Sequence, residues 1–204
     1  MTDYTTVPQV RAAFGSTVTG AGDDEIARTI SAVSRWLDRF CNQPDGFVAA
    51  ASATARLYAG DGTVVQRIDP CIAVTLIETR AETRTTWESW AGADWIAFRG
   101  DARQPDFNHL PYTGVQVAMI GARTCFPAGT PPTVRITARW GYADTPPDDI
   151  VQACIIQVAR LFKRGEGAFA DALSNNISDG ALSYRRLDPE VEAILKGGRY
   201  VRPA

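Results

Sequence analysis

The sequence predicts an α+β protein: a bundle of about four helices carrying an inserted antiparallel β-sheet or small sandwich. Three observations lead there. Apolar residues recur at helical spacing near both ends of the 204-residue chain, the stretch from about Thr54 to Tyr142 breaks into short β-like runs, and a proline-marked helix start follows those runs. The bundle is therefore expected from 1–47 plus 143–204, with the β insert at 48–142.

A short helix is expected from Val7 to Phe14, since Pro8 is tolerated in a first turn and Gly15 can end it. After a Gly/Thr-rich loop, Asp23 reads as an N-cap, and Asp24 and Glu25 suit the positive end of the helix dipole. Ile26, Ile30, Val33, Leu37 and Phe40 follow on one stripe, carrying this helix to about Asn42, ahead of Pro44. Arg28, Arg35 and Arg39 cluster on the opposite side. Two readings of that side stay open: a solvated face, or one that meets acidic groups on a neighbouring subunit.

Strand runs are expected at Thr54 to Tyr58, Val64 to Ile68, Ile72 to Glu78, Trp87 to Trp90, Trp95 to Phe98, Val115 to Ile120 and Val134 to Trp140. Asp61-Gly62 is a hairpin signal between two of them. In the last run Val134, Ile136 and Ala138 alternate with Arg135, Thr137 and Arg139, so one sheet face is buried and the other polar. The tryptophans, mostly in strand runs, suit cross-strand core positions. Arg99 to Pro111, holding Gly100, Pro105 and Asn108, reads as a long loop.

In Thr145-Pro146-Pro147-Asp148, Thr145 can cap, Pro146 sits at the first helical position and Asp148 completes a capping-box-like spacing. Ile150, Val151, Cys154, Ile155, Val158, Leu161 and Phe162 cover the core arc, and Ile156 projects to the far side with Ala153 and Ala159 beside it. Lys163 and Arg164 suit the C-terminal dipole, with Gly165 and Gly167 ending the helix. A polar linker to about Tyr184 precedes a last helix, Asp188 to Lys196, with Asp188 as cap and Pro189 in its first turn. Beyond Gly197-Gly198 lies a short basic tail, Arg199 to Ala204.

Composition narrows the function classes. A net charge of -2 with both signs mixed along the chain offers no polybasic face, which argues against tight sequence-independent DNA binding. No apolar run is long enough to cross a bilayer and the start is polar, so neither a membrane span nor a secretion signal is expected. Cys41, Cys71, Cys125 and Cys154 are widely spaced, with no C-x-x-C pair, and are expected to be reduced. The single histidine, His109, falls in the predicted loop without a local catalytic signature. Asp23-Asp24-Glu25 and Asp148-Asp149 occupy first helical turns, where caps and dipole partners belong. Gly20-x-Gly22 follows no strand and lacks the third glycine of a dinucleotide loop. The expectation is a protein without enzymatic activity, metal or cofactor.

The order of elements, with Ala32-Val33-Ser34-Arg35-Trp36-Leu37-Asp38-Arg39-Phe40-Cys41, Trp140-Gly141-Tyr142, Pro146-Pro147-Asp148-Asp149-Ile150-Val151-Gln152-Ala153, Ala159-Arg160-Leu161-Phe162-Lys163-Arg164 and Leu187-Asp188-Pro189-Glu190-Val191, resembles the head-to-tail connector (adaptor) proteins of long-tailed bacteriophages and phage-like gene transfer particles. The likeness lies in the combination and covers nearly the whole chain. It implies a homo-oligomeric ring, dodecameric in the family, in the virion neck. The portal protein lies above, a stopper or tail-completion protein below, and DNA passes through the lumen without specific binding. Such a particle is assembled in the host cytoplasm.

Candidate subunit-interface residues are Arg28, Arg35, Arg39, Ala153, Ile156 and Ala159. Arg199, Tyr200, Val201 and Arg202 are candidates for the portal, and the tips holding Asp61, Gly62, Asp106 and Asn108 for a neck protein or a neighbouring copy. The alternative is a monomeric or dimeric, non-enzymatic protein- or ligand-binding module.

Overall fold

The computed structural model describes residues 2–14, 22–101, 103–129, 131–173, 187–198 and 200. The chain divides into two compact units: Met1–Gly46 with Pro146–Ala204, and Phe47–Thr145.

The helical unit contains α1 (Val7–Phe14), α2 (Asp23–Phe40), α3 (Asp148–Leu173) and α4 (Pro189–Gly197). In α2 the cap is Gly22, not Asp23: the Gly22 carbonyl accepts from the amides of Glu25 and Ile26, both at 3.1 Å. Asp23 is instead the first helical residue, joining Asp24 and Glu25 in an acidic first turn, and pairs with Arg11 of α1 at 2.7 Å. Ile26, Ile30, Val33 and Leu37 are buried as the stripe requires, whereas Phe40 is partly exposed and stacks on Trp36. The helix stops in a Schellman motif. Asn42 adopts φ 53°, its amide bonds the Arg39 carbonyl, and the Gln43 amide bonds the Asp38 carbonyl.

The start of α3 corrects the capping expectation. Thr145 and Pro146 both precede a proline, and the ring of the following residue disfavours helical backbone at each. The helix therefore begins at Asp148, with the Pro147 carbonyl accepting from the amides of Ile150 and Val151. It also continues through Gly165 and Gly167 to Leu173 instead of ending there. A helical glycine costs only about 1 kcal/mol, which 26 residues of continuous helix absorb. The remainder of the expected linker lies outside the described residues. α3 packs against α1, α2 and α4, and α4 starts as expected, with the Asp188 carboxylate accepting from the Glu190 amide and Pro189 at its first position.

The β unit is an antiparallel seven-stranded sheet: β1 (Thr54–Tyr58), β2 (Val65–Thr79), β3 (Glu88–Ser89), β4 (Trp95–Asp101), β5 (Gln104–Asp106), β6 (Tyr112–Val117) and β7 (Val134–Trp140). The order is β1-β7-β2-β6-β4-β5, with β3 paired to β2. Two expected strands are thus one. The sequence runs Val64 to Ile68 and Ile72 to Glu78 leave Asp69-Pro70-Cys71 between them, but a proline is accommodated where the ladder bulges, and the β2–β6 register shifts between Arg67 and Cys71. Asp61-Gly62 does not join a paired hairpin, because β7 lies between β1 and β2. Half of the expected long loop is β4 continuing to Asp101 and returning as β5.

β7 alternates buried and half-buried along its length. Its inward residues Val134, Ile136, Ala138 and Trp140 join Ile68, Cys71, Ile77, Val115, Val117, Trp90 and Phe126 in one core. Trp90 stacks on Phe126 with centroids 4.8 Å apart and donates its indole N–H to Thr79 at 2.8 Å. Trp140 donates its own to the Thr54 carbonyl at 2.8 Å. Both buried indoles thereby keep a hydrogen bond.

Candidate subunit and neck interfaces

The far side of α3 is not the open alanine-lined face expected from spacing. Asp149, Ala153, Gln157 and Arg160 form a stripe one helical turn apart, and the C-terminal segment lies along it. The Tyr200 hydroxyl donates to Asp149 at 3.2 Å, the Asp188 amide to Gln157 Oε1 at 3.3 Å, and Arg160 Nη1 to Asp188 Oδ2 at 2.6 Å. Ala153 and Ala159 retain 0% and 1% exposure, so they serve close packing within the chain. Ile156 is half-buried, and of the residues assigned to the core arc Leu161 is exposed.

The arginine stripe of α2 also divides. Arg28 and Arg39 are exposed. Arg35 is held inside the unit: its Nε lies 3.0 Å from Asp38 Oδ2, its guanidinium lies over the Tyr4 ring, and it donates to the Thr2 carbonyl. Asp38 also accepts a hydrogen bond from the Tyr4 hydroxyl. Burial raises the Asp38 pKa above the usual carboxylate value, against the opposing pull of Tyr4, Arg35 and Arg39. Arg35, Asp38, Arg39, Asn42, Gln43 and Pro44 line a cavity at this end of the helix.

The expected tail is partly built into the fold. Tyr200 is buried, its amide bonds the Leu195 carbonyl, and its carbonyl accepts from Gln43 Nε2 at 3.2 Å. Arg199, Val201 and Arg202 lie outside the described residues.

In the β unit both expected tips are at the surface. Asp61 and Gly62 are exposed; the Asp61 carboxylate accepts from the Thr63 amide and hydroxyl at 3.0 and 2.8 Å, which holds its pKa below the usual range. Asp106 accepts from the Asn108 amide at 2.9 Å and lies 2.7 Å from His109 Nδ1, and Asn108 is exposed. His109 is thus a surface residue tied to its own turn. Met119 and Ile120, expected within a strand, lie beyond the end of β6 at 99% and 95% exposure. Period-two alternation cannot show where a strand stops pairing, and this pair was missed for that reason.

Among the described residues no group of three or more His, Cys, Asp or Glu is placed to hold a metal ion, and no helix is long and apolar enough to cross a membrane. Cys41, Cys71 and Cys154 are buried free thiols, and burial pushes them up to about 12, 12 and 11 respectively; Cys125 is exposed.

No protein-family model matches this chain, and no curated protein matches it. Among solved structures it is similar to a chain in the neck of an empty gene transfer agent particle described with C6 symmetry, at TM-score 0.53 and 17% identity over 97% of this chain and 90% of that one. Chains from the virion of a native gene transfer agent particle (TM-score 0.49, 16% identity) and from the native neck with C12 symmetry (0.46, 15%) align over the same shares. At such identities the likeness defines the class of fold. This is an α+β protein whose fold, followed nearly end to end, also occurs in a particle neck.

Proposed function

We propose that this chain is a non-enzymatic structural subunit of the neck of a phage-like particle. It forms a ring below the portal, joins capsid to tail and leaves a channel for DNA. The observation that carries this reading is the fold shared across 97% of the chain with a component of a gene transfer agent neck. Both units belong to one connector subunit, and twelve copies per ring is the number that the family resemblance implies. The portal lies above and a stopper or tail-completion protein below. A mildly acidic chain with dispersed charge suits a lumen through which DNA slides without being gripped. Arg28, Arg39 and the half-buried Ile156 remain the residues of the helical unit offered to a neighbouring copy. Assembly would take place in the host cytoplasm. Negative-stain imaging of the purified protein with its portal tests the reading: a rotationally symmetric ring seated on the portal is expected, and a persistent monomer or dimer in the presence of portal refutes it.

A further inference from the structure

Met119 and Ile120 are consecutive large apolar side chains, almost fully exposed, on a turn that is pinned on both sides. The Ala118 amide donates to the Asp94 carbonyl at 2.8 Å, and the Ala122 amide to Asp94 Oδ1 at 2.7 Å. The Gly121 amide closes the turn onto the Ala118 carbonyl at 3.1 Å. The turn at Asp61–Val64 is tied to the same end of the sheet, through Gly62 to Phe126, Phe126 to Thr63 and Val117 to Val64, at 3.1, 2.9 and 2.9 Å. Val64 is exposed as well. This end is therefore a preorganised apolar knob that loses little freedom on docking.

A second apolar patch, Phe107 and Leu110, occupies the opposite end of the β4–β6 pair. That pair runs without a register shift from Trp95↔Val117 to Phe98↔Gly114. The six residues of β6 therefore hold the two patches about 20 Å apart. The ends also differ in charge. The knob end carries the exposed Asp61 and Glu88 against Arg123, which pairs with Glu88 at 3.3 Å, and the far end carries Arg67, Arg99 and Arg103 against Asp106. Two unlike, oppositely biased patches on one unit are what a heterologous contact between identical copies requires, and a bilayer with anionic headgroups is disfavoured by the exposed Asp61.

Resting on the ring reading above, we infer that the Met119–Ile120 knob of one copy seats on the Phe107–Leu110 loop of the next. Full-length chain carrying Cys125→Ser, Leu110→Cys and Ile120→Cys is assembled on portal, oxidised and run on a non-reducing gel. The two positions within one copy are far beyond the Cα separation of about 4.4–6.8 Å that a disulfide allows, so bonds can form only between copies. A ladder of covalent multimers is expected from the double-cysteine protein and none from either single-cysteine control. Independently, Met119→Ser with Ile120→Ser keeps the monomer's Tm and raises the concentration at half-assembly by about tenfold or more. Assembled rings without a ladder overturn the contact and leave the ring reading standing. A wild-type chain that forms no ring with portal overturns both. Serine-variant rings that form at the wild-type concentration but no longer bind the lower neck protein, or phosphatidylcholine vesicles, give the knob another occupant and overturn the contact.

Discussion

Replacing Asp188 separates two effects that meet at one carboxylate. One oxygen caps α4 through the Glu190 amide at 2.9 Å, and the other pairs with Arg160 of α3 at 2.6 Å, with both side chains about one quarter exposed. Loss of an N-cap costs about 1 kcal/mol. A partly screened pair contributes at most about 1 kcal/mol. Asp188→Ala is therefore expected to destabilise the helical unit by about 2 kcal/mol. Asp188→Asn keeps a capping oxygen and loses only the charge, so it is expected to cost about half as much. Urea unfolding followed at 222 nm reports mainly on this unit, which holds the four α-helices of the described residues. A double-mutant cycle with Arg160→Ala should return a coupling of about 0.5–1 kcal/mol. Equal costs for the Asn and Ala variants, or a coupling indistinguishable from zero, would refute this division of labour.

Further outcomes follow from other sites. Gly46→Ala is expected to destabilise by about 1–3 kcal/mol in chemical denaturation, because φ is +74° and the added Cβ would lie 2.7 Å from the Tyr4 hydroxyl that bonds Asp38. Titration with a thiol reagent near pH 8 should find one fast-reacting cysteine per folded chain, Cys125, and four after denaturation. The three buried thiols stay protonated in the fold, while unfolded thiols ionise from about pH 9. Their contribution to stability is thus intact below pH 9 and lost as pH rises toward 11–12, which thermal melts in that window will show. Ile156→Asp should impair ring assembly on portal while the monomer's Tm falls by a few degrees at most; normal assembly would remove this residue from the interface.

Much of the fold was legible because local chemistry and tertiary context agree. The bounds of α1, β1 and β7 were read correctly from apolar period and end residues alone, as was the Asp188-Pro189 start of α4. The misses share a physical origin in non-local partners. Whether Pro70 breaks a strand depends on the bulge that β6 allows opposite it, and whether Asp61-Gly62 makes a hairpin depends on β7, some seventy residues later in the chain. The burial of Ala153 and Tyr200 required knowing that the C-terminal segment returns along α3. The Met119–Ile120 knob was hidden because an apolar pair beyond the end of a strand reads as more strand.

The helical unit is made from the two ends of the chain, so the buried stripe of α2 must wait for α3, which begins more than a hundred residues later. During synthesis that stripe emerges without its partner. The β unit supplies the remedy at its own neck, where Val48 and Ala143 form a parallel bridge with hydrogen bonds from the Ala49 amide to the Ala143 carbonyl at 2.8 Å and from the Ala143 amide to the Phe47 carbonyl at 3.1 Å. Once the insert has folded, the loop separating the two helical halves shrinks from about a hundred residues to a few. Loop-closure entropy then favours their meeting by about 3 kcal/mol. The insert thus acts as a folding clamp, and pulse-labelled hydrogen exchange during refolding should protect the amides of β2 and β7 before those of α2.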